Sequence, residues 1–346
     1  MRLFECKKII VIVGPTASGK SDLALRFAKL AQGKLFKKRG INGAEIISAD
    51  SRQVYRGMDI GTGKIPRDKH KGHLCDTKVP FVFSGIKHHL IDVVSPKKQF
   101  TAGDFKKLGQ KAIKEILAKN KIPIIVGGTG FYIDVLLDRM PIAEVPPNKK
   151  LRARFDKLTV EHLFKMLRKL DPERAKTIDP KNKRRLIRAL EIAVTTGKPV
   201  PKPNDESGIM NYDISWIGLR PKNLETRIKK RLDARLKQGM IKEVENLHGQ
   251  EISWKRLDDL GLEYRWISRY LKDRRQSTID YRHFVKSEFY EILLREIVKY
   301  SKRQMTWFTR PNFVERNLGG SKRTKEIKWF KKISEANQEV KKLFKI

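Results

Sequence analysis

Apolar and polar positions alternate in blocks along the chain, and the order of these blocks predicts an α/β fold. The run from Ile9 to Val13 is continuous and β-branched, a pattern typical of a strand buried on both faces of a parallel sheet. Apolar residues at helical spacing predict helices from Asp22 to Leu30 and from Ala102 to Ala118. Three further apolar runs predict strands at Glu45 to Ala49, Ile122 to Val126 and Ile214 to Leu219.

Strands that alternate with helices form βαβ units, so we expect a parallel sheet flanked by helices and joined by right-handed crossovers. In such sheets ligands bind at the carboxyl ends of the strands. Gly14, Asp50 and Thr129 each lie at or just beyond the end of a predicted strand. We therefore expect these three residues at one edge of the sheet, although they lie far apart in sequence.

Two clusters of prolines, at 141–147 and 199–203, interrupt the α/β pattern. Short basic helices are predicted between them, from Leu151 to Thr196. A break on each side of a helical stretch indicates an inserted small all-helical domain. The predicted division is therefore a core of residues 1–143 and 211–346, with an insertion at 144–210.

Long amphipathic stretches follow the insertion, and they predict helices from Leu224 to Leu247 and from Phe284 to Met305. Their outer faces are highly charged, as expected for helices that pack one apolar stripe against a core. The lysine-rich segment from Ser321 to Ile346 is weakly amphipathic. We expect this segment either to fray or to cover the core as a final helix.

The charge of the chain indicates a polyanionic partner. Its 77 lysines and arginines exceed its 39 acidic residues, which leaves a formal net charge of +38 over 346 residues. Nucleic acid is the first candidate, because a cationic surface releases the counterions of phosphates whatever the base sequence. The alternative is a basic proteome or a solubilising surface. Basic residues beside an aromatic one, Lys302, Arg303 and Trp307, favour nucleic acid.

Two cysteines, Cys6 and Cys75, cannot make a disulfide framework and fit a reducing compartment. His70, His73 and Cys75 offer three possible metal ligands, but no second Cys or His pair lies at the spacing of a structural zinc site, so we expect no metal there. The first apolar run is short and leads into a glycine loop, and no stretch of the sequence approaches transmembrane length. We expect a cytoplasmic protein.

Residues 14–21 read GPTASGKS, which fits the pattern G-x-x-x-x-G-K-S between a predicted strand and a predicted helix. The glycines let backbone N–H groups turn toward a phosphate, and the helix N-terminus adds its positive end. Lys20 supplies a charge to the terminal phosphate, and the hydroxyl of Ser21 suits Mg²⁺. The motif predicts a P-loop NTPase-like fold and a phosphorylated substrate. The residues of this phosphate loop are Gly14, Pro15, Thr16, Ala17, Ser18, Gly19, Lys20 and Ser21.

Asp50 follows the second strand, and its carboxylate is a candidate to accept a proton or to hold Mg²⁺ through water. It is equally a candidate helix cap. Gly127, Gly128 and Thr129 predict a close-approach turn with a hydroxyl at the same edge, although glycine there can also serve strand-to-helix packing.

Two sets of arginines recur at helical spacing. Arg227, Arg231 and Arg235 share one helix face, where one or two can clamp phosphate or all three can face solvent. The segment KNKRRLIRAL places Arg184, Arg185 and Arg188 on one short helix. The net charge favours docking of this helix on a nucleic-acid backbone over an ordinary exposed helix.

Six motifs, in order along nearly the whole chain, resemble the tRNA dimethylallyltransferases, which are also called isopentenyltransferases. The motifs are GPTASGKS (14–21), EIISADSRQVYRGMDIGTGK (45–64), HHLIDVVSP (88–96), VGGTGFYIDVLL (126–137), RRLIRALEI (184–192) and KRQMTWF (302–308). The sequence departs from the family pattern at LGLEYRW (260–266), in the long basic connection between Gly61 and His88, and in the C-terminal tail.

The resemblance implies a reaction and roles for particular residues. A dimethylallyl group would move from dimethylallyl diphosphate to N6 of adenosine 37, next to the anticodon, in tRNAs reading codons beginning with U. Asp50 would be the general base, with Lys20 and Thr129 also catalytic. The phosphate loop, Arg227 and Arg231 would bind the prenyl diphosphate, with Mg²⁺ at Ser21.

The resemblance also implies that tRNA contacts lie in four regions, among them the helical insertion, which would grip the anticodon stem. Anticodon stems are read through shape, phosphates and unstacked bases. We expect a monomer without an obligate protein partner or a membrane. The residues concerned are Asp50, Ser51, Arg52, Gln53, Thr129, Arg152, Arg184, Arg185, Leu186, Ile187, Arg188, Lys302, Arg303 and Gln304.

Two other functions fit parts of the sequence. A P-loop kinase or NTPase acting on a nucleoside or small metabolite would need an acidic residue closing an apolar strand, and Asp92 in HHLIDV is a candidate. A non-catalytic RNA-binding protein would explain the charge but would leave Asp50, Lys20 and Ser21 without a task.

Overall fold

A computed structural model describes residues 8–68, 79–201, 212–273, 281–309 and 326–344. Cys6 and the three candidate metal ligands, His70, His73 and Cys75, lie outside the described residues. The described chain divides into two compact units. The second unit comprises 137–201, and the first comprises all the other described residues.

The first unit contains a seven-stranded sheet in the order β3-β4-β2-β5-β1-β6-β7 among the described residues. Neighbouring strands are parallel except for the antiparallel pair β3 and β4. The mostly parallel sheet and its flanking helices confirm the predicted fold class. The strands are β1 (Lys8–Val13), β2 (Ala44–Ser48), β3 (Phe81–Phe83), β4 (Ile86–His89), β5 (Ile122–Gly127), β6 (Asp213–Leu219) and β7 (Lys328–Phe330).

The four strands predicted from apolar runs are β1, β2, β5 and β6. Ile9 to Val13 are all fully buried between β5 and β6, as their continuous apolar pattern requires. The sequence analysis missed β3, β4 and β7, which are only three or four residues long. Ser84 and Gly85 join β3 to β4 and both have a positive φ, 51° and 71°, as a tight hairpin requires.

Helices of the first unit cover the sheet and form a second core beside it. The predicted helix from Leu224 to Leu247 is two helices, because Gly239 adopts φ 97° and begins a new one. The predicted helix from Phe284 to Met305 is likewise divided, at 286–287. The helices are α1 (Lys20–Leu30), α2 (Lys34–Lys37), α3 (Ala102–Leu117), α4 (Gly130–Leu136), α9 (Leu224–Lys237), α10 (Met240–Gly249), α11 (Trp254–Leu260), α12 (Leu262–Asp273), α13 (Tyr281–Val285), α14 (Glu288–Thr309) and α15 (Ile333–Leu343).

Helix α15 covers the sheet. Of the two alternatives for the tail, fraying or a final helix over the core, the described part therefore adopts the second. Its residues Ala336 and Val340 are fully buried. They pack in one apolar cluster with Phe27 of α1 and with Ile10 and Ile12 of β1. The rest of the tail, 321–325 and 345–346, lies outside the described residues.

The second unit is built from α5 (Lys149–Asp156), α6 (Val160–Leu170), α7 (Pro172–Thr177) and α8 (Lys183–Thr196). Leu163, Leu167, Leu186 and Leu190 are fully buried at its centre. A short polar residue begins each helix and accepts a hydrogen bond from a backbone N–H of the first turn, which explains why the chain folds into separate short helices. The capping residues are Asn148, Thr159, Asp171 and Asn182.

Candidate active site

The phosphate loop connects the end of β1 to the start of α1. Gly19 precedes α1 with φ 93°, a left-handed conformation that favours glycine. A Cβ at this position would also lie 2.7 Å from Cδ1 of Ile333. The side chain of Ser18 is almost fully buried in the loop, and its hydroxyl has no hydrogen-bond partner among the described residues.

Three side chains contact the backbone of the phosphate loop, and two of them come from distant parts of the first unit. Lys20 Nζ donates a hydrogen bond to the carbonyl oxygen of Pro15 at 3.0 Å, and Arg227 Nε donates to that of Ala17 at 2.8 Å. Gln304 Oε1 accepts a hydrogen bond from the backbone N–H of Thr16 at 2.8 Å. Two carbonyl oxygens of the loop therefore accept hydrogen bonds from cationic side chains, and one backbone N–H donates to a neutral amide oxygen.

The electrostatics of the loop favour an anion. Burial, together with the nearby charge of Arg231, lowers the pKa of Lys20 to about 8, although the charge of Asp50 opposes both effects. Burial also lowers the pKa of Arg231, as does Arg235, while Glu263 and Asp50 raise it. Two crowded, partly desolvated cations beside a phosphate loop gain most from a ligand that carries several negative charges.

Asp50 lies directly beyond β2, and its two carboxylate oxygens differ. Oδ1 accepts hydrogen bonds from the backbone N–H groups of Arg52 at 2.8 Å and Gln53 at 3.3 Å, which is the capping arrangement considered from the sequence. Among the described residues, no hydrogen bond reaches Oδ2. The carboxylate is thus held in place by one oxygen while the other is available to a substrate, so capping and a catalytic role are compatible.

Thr129 lies next to Asp50, as predicted from their positions at the strand ends. Its hydroxyl oxygen accepts a hydrogen bond from the backbone N–H of Ser51 at 3.3 Å. The turn before it requires glycine, because a Cβ at Gly127 would lie 2.1 Å from the carbonyl oxygen of Ala49. Since β1, β5 and β2 are neighbours, the structure brings Gly14, Asp50 and Thr129 to one edge of the sheet.

Tyr300 is a residue of this site that the sequence analysis missed. Its hydroxyl interacts with Thr129, and burial raises its pKa to about 12, an effect to which the charge of Asp50 adds. It lies one helical turn before Gln304 on α14, outside the recognised KRQMTWF motif. The spacing of four residues was the available signal, since it places the two side chains on one helix face.

The KRQMTWF motif fixes α14 against α4. Trp307 Nε1 donates a hydrogen bond to Asp134 at 2.8 Å, and a Cβ at Gly130 would lie 2.1 Å from the Trp307 ring. Gln304 packs just as closely against Gly128, where a Cβ would lie 2.1 Å from the Gln304 Nε2 atom. This packing holds Tyr300 and Gln304 at the strand edge.

These groups surround a cavity of about 90 Å³ that has a polar side and an apolar side. Lys20, Ser21, Asp50 and Arg231 supply polar groups near the phosphate loop. The apolar part of the lining comes from Leu25, Ile46, Phe83, Ile91 and Val126. Such a cavity suits a ligand with an anionic end and a short hydrocarbon end.

Helix α9 directs its three arginines at the protein interior, so a solvent-facing role for this face is wrong. Arg231 Nη2 donates a hydrogen bond to the carbonyl oxygen of Gly63 at 3.2 Å. Arg235 is buried, donates to the carbonyl oxygen of Gly61 at 2.6 Å and pairs with Glu263 at 2.9 Å. Arg231 alone of the three lines the cavity described above.

Asp92, the acidic residue considered for a phosphoryl-transfer enzyme, is held by an ion pair away from the phosphate-loop cavity. Its carboxylate pairs with the almost fully buried ammonium of Lys64, which also donates a hydrogen bond to Tyr55. Burial raises the pKa of Asp92, and Lys64 opposes that rise. Asp92 is absent from the described lining of the phosphate-loop cavity.

The chain offers limited protein ligands for a divalent cation. Among the described residues no three His, Cys, Asp or Glu side chains group as a metal site. Ser21 lines the cavity beside Lys20 and Asp22. The oxygens of Ser21 and Asp22 fit Mg²⁺, which binds through few protein oxygens together with substrate phosphates and water.

Lys302 and Arg303 belong to the expected tRNA-binding set and are exposed in the second half of α14. Lys302 pairs with Glu225 at 3.0 Å, and the Arg303 guanidinium lies 5.9 Å from the ring centre of Tyr300. Ser51, Arg52 and Gln53 follow Asp50 in the same turn and are half-buried. Of the tRNA-binding residues expected in the first unit, Asp50, Gln53 and Gln304 line the cavity.

In the second unit, two expected RNA-binding arginines hold a buried carboxylate. Arg152 contacts Glu191 through Nε at 2.8 Å and Nη2 at 2.7 Å, and Arg188 Nη1 contacts it at 2.6 Å. Burial alone raises the pKa of Glu191, but hydrogen bonds from Arg152, Arg188 and the backbone N–H of Asn148 outweigh it and lower the pKa to about 2. These two arginines therefore stabilise the helical unit whatever else they bind.

The four remaining candidates in the second unit divide by burial. Leu186 and Ile187 are buried in the core of the unit, so an RNA contact at these positions would be made by the backbone. Arg184 and Arg185 are exposed. The sequence could not show that Arg184 and Arg185 are exposed while Arg188 binds Glu191, because all three lie on one short helix.

Known proteins resemble this chain in sequence and in fold. A sequence model of the IPP transferase family matches residues 53–311. A tRNA dimethylallyltransferase 1 of Geotalea uraniireducens is 37% identical over 302 residues, which cover 87% of this chain and 88% of that protein. A tRNA dimethylallyltransferase of Acetivibrio thermocellus is 38% identical over 308 residues, which cover 87% and 88%. The crystal structure of the full-length tRNA isopentenylpyrophosphate transferase from Bacillus halodurans has a TM-score of 0.59 and 30% identity, covering 98% of this chain and 97% of that one.

Proposed function

The chain belongs to the IPP transferase family, and from this premise we propose that it transfers a dimethylallyl group from dimethylallyl diphosphate to tRNA. The acceptor is N6 of adenosine 37, next to the anticodon, in tRNAs that read codons beginning with U. Diphosphate is the other product. The enzyme acts as a monomer in the cytoplasm, where its tRNA substrate is found.

One observation carries this proposal: a cavity of about 90 Å³ has the phosphate loop and Asp50 in its lining, together with apolar side chains. A diphosphate fits the cations Lys20 and Arg231, and a five-carbon group fits the apolar wall. Asp50 Oδ2 supplies a base in the same cavity. Asp92, the acidic residue considered for a phosphoryl-transfer enzyme, is engaged by Lys64 and does not line this cavity.

The leaving group is stabilised by the phosphate loop. When the bond between the allylic carbon and oxygen breaks, negative charge develops on the diphosphate, and Lys20, Arg231 and the backbone N–H groups of the loop offset it. Mg²⁺ bound at Ser21 would neutralise further charge on the diphosphate. The buried hydroxyl of Ser18 is an additional donor without another partner among the described residues.

The acceptor amine is activated by Asp50. The lone pair of an exocyclic adenine amine is delocalised into the ring, so the amine attacks carbon readily only as its proton moves to a base. Oδ2 of Asp50 accepts that proton while Oδ1 remains bonded to the backbone. Thr129 and Tyr300 lie beside Asp50.

The acceptor base must leave its stack to reach Asp50. Enzymes that modify a base bind it outside the helix or loop stack. Arg52, Lys302 and Arg303 offer cations to the phosphates of the anticodon loop, and the exposed Arg184 and Arg185 offer them to the stem.

Mass spectrometry of tRNA incubated with the protein, Mg²⁺ and dimethylallyl diphosphate tests the proposal. One adenosine beside the anticodon should gain a five-carbon unit, and Asp50→Asn should bind tRNA without producing it. A parallel incubation with ATP in place of dimethylallyl diphosphate is the control. Consumption of ATP with a small acceptor, and no modified tRNA, would indicate a kinase instead.

A further inference from the structure

Glu243 on α10 binds a segment of backbone that is far from it in sequence. Its Oε2 accepts hydrogen bonds from the N–H groups of Asp59 at 2.8 Å and Ile60 at 2.6 Å. Its Oε1 accepts from the N–H of Gly61 at 3.0 Å and from the hydroxyl of Tyr264 at 2.7 Å. One carboxylate thus receives four hydrogen bonds, three of them from consecutive backbone amides of residues 59–64, here called the 59–64 loop.

The same loop is also held from a second direction, by Arg235 and Tyr264. Arg235 Nη1 donates a hydrogen bond to the carbonyl oxygen of Gly61 at 2.6 Å. Gly61 packs so closely that a Cβ would lie 2.6 Å from the Tyr264 ring and hydroxyl. Glu243, Arg235 and Tyr264 together fix both the amide and the carbonyl of Gly61.

The far end of the loop contacts the diphosphate site. The carbonyl oxygen of Gly63 accepts a hydrogen bond from Arg231 Nη2 at 3.2 Å and one from Gln53 Nε2 at 3.5 Å. A Cβ at Gly63 would lie 2.1 Å from the same Nη2 atom, so the backbone defines where the guanidinium can lie. Arg231 lines the phosphate-loop cavity and lies close enough to Lys20 to lower its pKa.

We propose that Glu243 is a positioning residue: it holds the 59–64 loop so that the Gly63 carbonyl orients Arg231 toward the diphosphate. The proposal rests on the proposed function in taking a diphosphate as the ligand. Glu243 itself touches neither substrate nor reacting atoms. Its effect on binding passes through Gly63 and Arg231.

The variant Glu243→Gln keeps the shape of the side chain but replaces one acceptor oxygen with an NH₂ group. That group cannot accept from a backbone N–H, so at least one of the three bonds to the 59–64 loop is lost, and the bond with Tyr264 survives only if its hydroxyl becomes the acceptor. Inorganic diphosphate, measured by calorimetry, is the probe. We expect its affinity to fall about tenfold, whereas tRNA affinity stays within about twofold. The matched control is Glu245→Gln on the same helix, whose carboxylate pairs with Lys242 at 3.2 Å.

A double-mutant cycle with Arg231→Ala separates positioning from general stability. If Glu243 acts through Arg231, E243Q should change diphosphate affinity little in the R231A protein, because the oriented group is already absent. Tyr264→Phe removes a single hydrogen bond to Glu243, and it should weaken diphosphate binding in the same direction by about two- to threefold. If E243Q does not fold, the Y264F variant still tests whether the hydrogen bonds of Glu243 affect diphosphate affinity.

Three outcomes overturn the proposal. Unchanged diphosphate affinity in a folded E243Q or Y264F protein contradicts it, as do additive effects of E243Q and R231A. Equal loss of diphosphate and tRNA affinity would show a structural role alone. Failure of the proposed function looks different, since the wild-type protein would then bind inorganic diphosphate normally yet leave tRNA unmodified, or would not bind diphosphate at all.

Discussion

Gln304 Oε1 accepts a hydrogen bond from the Thr16 N–H, 2.8 Å away and 288 positions earlier in the chain. The donor belongs to the phosphate loop, and the acceptor belongs to a motif expected to contact tRNA. A diphosphate bound in the loop as proposed would therefore compete with the amide oxygen of Gln304 for one backbone donor. This contact links the two proposed substrate sites through a single side chain.

Replacing Gln304 should separate the two substrates. Gln304→Ala frees the Thr16 N–H, so we expect affinity for inorganic diphosphate to rise about threefold, the equivalent of one modest hydrogen bond. Modification of tRNA should fall, because the packing against Gly128 is lost. Calorimetry and single-turnover assays measure the two effects. Thr306→Ala, an exposed change on the same helix, is the control, and a loss of diphosphate affinity in Q304A would disprove the competition.

Diphosphate binding should depend on pH through Lys20. Because its pKa is lowered to about 8, the free protein loses this charge as the pH rises through 8, while a bound diphosphate favours the charged form. Affinity should therefore decline by up to about tenfold per pH unit above 8. Lys20→Arg keeps its charge in this range, so the ratio of the two dissociation constants cancels titration of the ligand. A constant ratio between about pH 7 and 9 would contradict the assignment.

Asp50→Asn should abolish chemistry and spare the fold. The amide oxygen of Asn can still accept from the N–H groups of Arg52 and Gln53, so the turn is kept. The variant cannot accept the N6 proton, and we expect a single-turnover rate about 10²- to 10⁴-fold lower. Fluorescence titration should show unchanged tRNA affinity. A D50N protein with more than about a tenth of the wild-type rate would exclude Asp50 as the base.

The arginines of the second unit should divide into two groups. Arg184→Ala and Arg185→Ala should weaken tRNA binding and lower its dependence on salt, because each removes a charge available to phosphate. Arg188→Ala should destabilise the protein by about 1–3 kcal/mol, since Glu191 is fully buried and loses one of its partners. Filter binding at several salt concentrations and thermal unfolding distinguish the groups. Equal effects of R184A and R188A in both assays would contradict the division.

The strands that could be predicted from the sequence were those with a continuous apolar run. Strands β1, β2, β5 and β6 are continuous apolar runs, and their order predicted the common edge of Gly14, Asp50 and Thr129. Strands β3, β4 and β7 are too short for any period to be recognised. The break at Gly239 was missed because glycine is also tolerated inside helices.

The site could be predicted from the sequence where its residues belong to one short, contiguous motif. The phosphate loop is such a motif, since its glycines and its lysine act within eight positions. Glu243 and Gly61 are 182 positions apart, and no pattern in the sequence connects them. The roles of Arg184 and Arg188 also required the structure, because burial of Glu191 and not spacing distinguishes them.

The most direct measurement follows both products of one reaction. The protein is incubated with tRNA and labelled dimethylallyl diphosphate, and released diphosphate and prenylated adenosine are counted together. If the phosphate loop holds a leaving group while carbon moves to RNA, the two amounts are equal at every time point, and ATP is neither required nor consumed. Diphosphate released without modified adenosine, or modification that requires ATP hydrolysis, would contradict this account.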